Sequence, residues 1–274
     1  MIDTPNIQPY VTMDGLGNDF IVFDARVSAL ELTAEQVRHI ANRETGLGCD
    51  QVLIIRPSEK ADVFLEIWNA NGQRVSACGN GSRCIAWYVV DGIAERTITI
   101  ETDAGVLNAH IKANHMVTLD MGAPKLGWRD IPLAFEKDTI TVPLTLETLS
   151  NPGVVSMGNP HAVFFVADVD VIDLETLGRS LEHHPLFPEG ANISICSVAD
   201  TTIRQRVWER GVGITKACGT AACAALVAAH RKALIGRSAT ILQDGGALEI
   251  LWNEANHVIM TGAVSLNDRG TVTL

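Results

Sequence analysis

The chain has 274 residues, 47% of them hydrophobic and 19% charged, with six cysteines and a net charge of −11. That is enough apolar material for one large domain or two ordinary ones, and it excludes wholesale disorder and a disulfide scaffold. The acidic excess has the wrong sign for a phosphate-backbone partner, so nucleic acid is excluded. The start, MIDTPNIQPYV, lacks a basic stretch followed by an apolar one, and the longest uninterrupted apolar run, 221–229, is too short for a bilayer, so the expectation is a cytoplasmic protein without a membrane partner.

In chain order, alternation and β-branching predict strands at 20–24 (FIVFD), 51–56 (QVLIIR), 61–68 (ADVFLEIW), 96–101 (RTITIE), 106–111 and 115–120. Thr33 and Gln36 stand at capping-box spacing and open a helix running to Asn42. Asn71-Gly72, between the IWNA and QRVSA runs, predicts a hairpin. ACGNGSRC at 77–84 leads into the apolar run IAWYVV, which predicts a helix over 80–90 ended by Gly92. Residues 122–152 are irregular, with prolines at 124, 132, 143 and 152, and a domain boundary is expected in or just before them. The halves are then 1–121 and 122–262, with a last strand at 263–274 returning to the first half.

The second half repeats the theme, with strands expected at 153–157, 162–166, 191–198, 202–209, 238–243, 247–252 and 256–261 and a helix over 170–183. ACGTAAC at 217–223 opens a helix over 220–234, with Arg231 and Lys232 in its last turns and Gly236 just beyond. That helix is apolar on every side, as a buried helix is. The fold class is therefore α/β with mixed sheets: two pseudo-symmetric domains, each a curved, largely antiparallel sheet wrapped on a central helix, with the active site expected in the cleft between them.

Each half thus carries a cysteine, Cys78 or Cys218, where a strand turns into a helix, with Gly79 or Gly219 as the turn residue. A helix N-terminus offers unpaired N–H groups and partial positive charge, which lower a thiol's pKa and bind carboxylates. Were both mouths to share one carboxylate, their N–H groups would stabilise an enolate-like anion, with the sulfurs flanking the α-carbon. One sulfur, as thiolate, takes the α-proton, and the other, as thiol, delivers one to the opposite face, inverting the centre. For a single ACG a buried structural cysteine is the simpler reading, but the matched glycines and helices favour function. Cys84 and Cys223, at unequal offsets inside the helices, are assigned to the core.

At these residues the chain resembles the diaminopimelate epimerases. The likeness runs through GLGNDF at 15–20, CDQ at 49–51, FLEIWNANG at 64–72, ACGNGSRC, MGNPHAV at 157–163, ANIS at 191–194, VWERGVG at 207–213 and ACGTAAC. It implies that Cys78 and Cys218 are the acid/base pair, interconverting LL- and meso-2,6-diaminopimelate in a homodimer, without pyridoxal phosphate or a metal. It also implies that Gly79 and Asn80 bind the reacting carboxylate from one side, and Gly219 and Thr220 from the other. Asn18, Gln51, Asn69, Asn159 and Asn192 become substrate-contacting amides, Arg210 binds the distal carboxylate, Glu209 also contacts substrate, and His161 and Glu209 tune the thiols. The chain departs from the family pattern at Asp14, at Gly213-Ile214-Thr215, at Ala221 and at the C-terminus, which lacks an aromatic associated with the dimer contact. None of these positions is a cysteine.

Two rivals remain. A proline or hydroxyproline racemase shares the two-cysteine logic, but its substrate has no distal amino-acid end for Asn69, Asn192 and Arg210. A redox-sensing or metal-binding cysteine protein would leave the residues after each cysteine unexplained.

Overall fold

The structure, a computed structural model, describes residues 7–274. Its first strands are β1 (Ile7–Asp14) and β2 (Asp19–Asp24). Helix α1 (Ala34–Ala41) follows, its start secured by the expected box: Thr33 Oγ1 accepts from Gln36 N at 3.2 Å, and Gln36 Oε1 accepts from Thr33 N at 2.9 Å. Such a cap is worth about 1 kcal/mol. Then come β3 (Gln51–Arg56), β4 (Val63–Asn69), β5 (Arg74–Val75), α2 (Gly79–Val89), β6 (Thr97–Thr102), β7 (Gly105–Ile111) and β8 (Met116–Asp120). The Asn71-Gly72 signal lies in a three-residue loop between Asn69 and Gln73. Gly72 sits there at φ +81°, which a side chain would resist, and only Arg74–Val75 of the QRVSA run pairs back.

Two short strands, β9 (Thr145–Leu146) and β10 (Leu149–Ser150), interrupt the irregular stretch. The repeat then begins: β11 (Gly153–Ser156), β12 (Pro160–Phe165), α3 (Leu174–Glu182), β13 (Asn192–Ala199), β14 (Thr202–Glu209), β15 (Gly213–Thr215), α4 (Gly219–Arg231), β16 (Ser238–Gln243) and β17 (Gly246–Trp252). β18 (Val258–Ala263) and β19 (Ser265–Thr273) close the chain, and β19 pairs antiparallel with β1. One unit takes the residues up to Leu119 with Gly262–Leu274, and the other takes Asp120–Thr261.

Each unit repeats one pairing scheme. From β1 to β7, β1–β2 is antiparallel, β2–β3 parallel, β3–β4 and β4–β5 antiparallel, β4–β6 parallel and β6–β7 antiparallel. The series β11–β12, β12–β13, β13–β14, β14–β15, β14–β16 and β16–β17 runs through the same senses in the same order. A parallel neighbour needs a crossover, which α1 and α2 supply in one unit and α3 and α4 in the other. The domains are therefore pseudo-symmetric α/β units.

Helices lie against both faces of each sheet: the expected central helix on one, and on the other the helix expected after Thr33 or over 170–183, for which the sequence named no face. In the first unit, Val37 and Ile40 of α1 pack with Ile21, Phe23, Val52 and Ile54. The alternate residue of β3, Leu53, faces α2, where a Cβ added at Gly81 would stand 3.1 Å from its side chain. In the second unit, Leu174, Leu177 and Leu181 of α3 pack with Ile193 and Ile195. α4 is buried from Ala221 through Ala229. A strand covered on both faces loses its alternation and reads as a continuous apolar run, as QVLIIR does.

Candidate active site

The pairing scheme gathers matching residues at matching strand ends. In the first unit Asn18 lies in the β1–β2 turn, Gln51 opens β3 opposite Asn69 at the end of β4, and Cys78 precedes α2. In the second unit Asn159 lies in the β11–β12 turn, Asn192 opens β13 beside His161 of β12, Glu209 ends β14, and Cys218 precedes α4. Within each unit the sequence-predicted residues thus stand at one end of the sheet.

Both cysteines are the N-cap residues of their helices, in extended conformation. The Cys78 sulfur fills the place of a capping oxygen, accepting from Gly81 N at 3.3 Å. The sulfur also lies 3.9 Å from Asn18 Oδ1, which accepts from Asn80 Nδ2 at 3.4 Å. Asn80 is buried at the second helical position and is not the cap; its Oδ1 accepts from the fully buried Arg83 at 3.0 Å. Asn18 donates in turn to Asp50 at 3.0 Å, and Arg43 bridges Asp50 and Asp19. Gln51 Nε2 donates to Asn69 Oδ1 at 2.8 Å, while the buried Gln51 Oε1 has no hydrogen-bond partner among the described residues.

Cys218 is 7% exposed. Burial and the neighbouring Glu209 carboxylate push its pKa well above the ordinary thiol range. Burial raises Glu209 as well, although Thr215 Oγ1 donates to it at 2.5 Å. Thr220, like Asn80 no cap, has its hydroxyl 3.5 Å from the Cys218 sulfur and accepts from Asn159 Nδ2 at 3.3 Å. Asn192 spends its amide on bracing: Nδ2 donates to Pro160 O at 2.9 Å and Oδ1 accepts from Arg210 N at 2.9 Å, leaving one N–H to offer. Arg210 is exposed and forms no ion pair among the described residues; its guanidinium donates to Glu189 O at 2.9 Å.

His161 does not hydrogen-bond to a sulfur among the described residues; its Nε2–H donates to Asn159 Oδ1 at 2.9 Å. Burial, aided by the Arg210 charge, lowers its pKa from 6.5 to about 3. The unfolded chain takes up the imidazole proton near pH 6.5, but the folded one does so only near pH 3. Throughout that window the unfolded state binds the extra proton, so this contribution to stability is complete above pH 6.5 and is lost as pH falls towards 3. The thermal midpoint is expected to drop between pH 7 and pH 4, and less steeply in His161→Gln. Equal pH slopes in both proteins would remove His161 as the source.

Of the other thiols, burial raises Cys49 to about 12 and drives Cys84 and Cys196 higher still. Cys223 is buried with Cys84, as expected of core residues. Sequence reasoning missed Asp50 and Arg43, which orient Asn18, and Arg83, which orients Asn80. It also missed Gln205 and Gln243, buried behind Cys218. Gln205 alone had a visible signal, as a polar residue in the inward row Ile203, Gln205, Val207 of β14. Among the described residues no cluster of His, Cys, Asp and Glu could hold a metal ion, and no helix is long and apolar enough to cross a membrane.

A sequence model described as diaminopimelate epimerase matches residues 10–127 and 153–267. The chain is 49% identical over 260 residues to the diaminopimelate epimerase of Acidiphilium cryptum, covering 94% of each chain. Among solved structures it is similar to a phenazine biosynthesis protein of the PhzF family from Bacillus anthracis, with a TM-score of 0.70 at 18% identity, over 98% of this chain and 100% of that one. It is also similar to a hydroxyproline epimerase from Agrobacterium vitis, with a TM-score of 0.70 at 16% identity, over 98% and 91% of the two chains. These two likenesses are of fold.

Proposed function

The chain belongs to the diaminopimelate epimerase family, and we propose that Cys78 and Cys218 carry the family's reaction, one proton each. The enzyme is an isomerase that interconverts LL- and meso-2,6-diaminopimelate, a step towards lysine and cell-wall peptidoglycan. The observation that carries the assignment of residues is the repeat itself: each unit ends one strand series in a cysteine that is the N-cap of its central helix.

Inverting a carbon needs one sulfur on each face, so the proposal has both helix mouths act on one bound substrate. Gly79 and Asn80 at one mouth, and Gly219 and Thr220 at the other, hold the reacting carboxylate by the first-turn N–H groups. The same dipoles stabilise the anion left when the α-proton departs. Glu209, whose pKa burial raises, sits beside Cys218 and can trade a proton with its sulfur. Held neutral, His161 acts by orienting Asn159, whose other end meets Thr220. The distal amino-acid end goes to Arg210, the remaining N–H of Asn192, Asn69, and the unpartnered Gln51 Oε1, which an ammonium would satisfy. Halves at 1–121 and 122–262, each supplying one thiol, together with a cytoplasmic homodimer, complete the proposal.

Incubation with LL-diaminopimelate in deuterated water tests it. Deuterium is expected at one α-carbon, with inversion to the meso isomer. Deuteration of proline in a parallel incubation, with none of diaminopimelate, would transfer the reading to the racemase.

A further inference from the structure

Behind Cys218, in the second unit, lies a buried amide chain that the reaction does not account for. The Gln243 side chain grips both peptide groups of Cys218: its Oε1 accepts from Cys218 N at 3.0 Å, and its Nε2 donates to Cys218 O at 3.0 Å. Nε2 also donates to Gln205 Oε1 at 2.7 Å. Gln205 Nε2 donates to Ser194 Oγ at 2.9 Å and to Ala221 O at 2.9 Å. Both N–H bonds of each amide are used and each carbonyl accepts, so turning either amide over would set donor against donor. A buried polar network satisfied in this way holds one geometry.

The first unit has the same architecture without this device. Thr102 ends β6 as Gln243 ends β16, pairing with Gly105 as Gln243 pairs with Gly246. Its hydroxyl serves its own turn, donating to Gly105 O at 3.0 Å and accepting from Ala104 N at 3.2 Å. Leu65 and Leu53 stand where the second unit has Gln205 and Ser194: Leu65 faces Ile55 as Gln205 faces Cys196, and Leu53 faces Ile67 as Ser194 faces Val207. The fold therefore forms without the amides. The caps differ in parallel. The Cys78 sulfur caps its helix at 3.3 Å from Gly81 N, whereas the Ala221 N–H reaches the Cys218 sulfur only weakly and makes no side-chain capping bond.

We propose that Gln243, braced by Gln205, is a positioning residue for the sulfur of Cys218. It anchors the N-cap peptide, so that the helix start does not depend on the buried sulfur, which keeps its aim as it gains and loses a proton in each turnover. This rests on Cys218 being an acid/base, and the test separates the two claims.

The variants are Gln243→Thr and Gln205→Leu, which install the first unit's residues, together with Gln243→Glu and Cys218→Ala. Misplacing a reacting group by about 1 Å costs on the order of 100-fold. Gln243→Thr, folded by circular dichroism, is expected to lose about 10- to 100-fold in kcat in both directions with KM within about 3-fold. Gln205→Leu should show a smaller loss of the same kind. The carboxyl introduced by Gln243→Glu can both accept from Cys218 N and donate an O–H only when protonated. Its kcat relative to wild type should therefore rise as pH falls, while that of Gln243→Thr stays flat. A folded Gln243→Thr with wild-type kcat, a loss confined to KM, or a flat ratio for Gln243→Glu would overturn the proposal. So would unfolding of all three glutamine variants, which would make the network a support of the fold alone. If Cys218→Ala keeps wild-type turnover, the acid/base assignment itself has failed, whatever the glutamines do.

Discussion

Cys78→Ala and Cys218→Ala are each expected to cut epimerisation by about 1,000-fold or more, since general acid or base catalysis contributes on the order of 100- to 10,000-fold and inversion needs both groups. Neither change should unfold the chain. Cys78 loses a cap worth about 1 kcal/mol, and Cys218 loses a small buried side chain from a helix start that Gln243 still holds. The sharper reading comes from deuterium exchange. A chain with one sulfur can still remove the α-proton from the isomer that presents it on that side, and return deuterium to the same side. Each variant should therefore exchange without inversion, and the two should act on opposite stereoisomers. Exchange of the same isomer by both variants would contradict placement of the sulfurs on opposite faces. Cys84→Ala and Cys223→Ala are the controls: both thiols are fully buried inside their helices, so stability falls while kcat per folded molecule stays.

How much of this was visible in the sequence depended on how local its cause was. The capping box at Thr33 and Gln36, the helix over 219–231 and the strand Gln51–Arg56 are set by neighbours in sequence, and they stand close to where their patterns put them. β1 went unseen because its first half is largely exposed and its partners, β19 and β2, include one from the far end of the chain, whereas β19 was expected as a last strand over 263–274. β5 and β15 are too short to have a period. The cysteines announced themselves through a repeated motif, since the helix start that positions them is made by the adjacent glycine and apolar run. The amides were assigned by resemblance, and their geometry adds what the sequence did not carry: Asn192 also braces Pro160 and Arg210, and Asn80 is itself held by Arg83. The Gln205–Gln243 chain joins β13, β14, β16 and α4, and no local pattern reports a contact spread over four elements.

The helix mouth should prove nearly as sensitive as the sulfur. Gly219 is the first helical residue of α4, where an N–H has no intrahelical acceptor, so in the proposal it serves the substrate carboxylate. Proline can remove that N–H and leave the backbone alone. It is favoured at the first helical position, and Cys218, at φ −137° and ψ 113°, already has the extended conformation demanded before proline. Gly219→Pro is thus expected to fold, with a thermal midpoint close to wild type. Its kcat/KM should fall by about 100-fold or more, the scale seen when one donor to a developing oxyanion is lost. Gly219→Ala keeps the N–H and adds a Cβ at the same residue, so it measures crowding alone, and a loss of about 10-fold at most is expected there if the N–H is what matters. A folded proline variant that turns over diaminopimelate within a few-fold of wild type would detach the carboxylate from this helix end, and with it the reason for placing a thiol there.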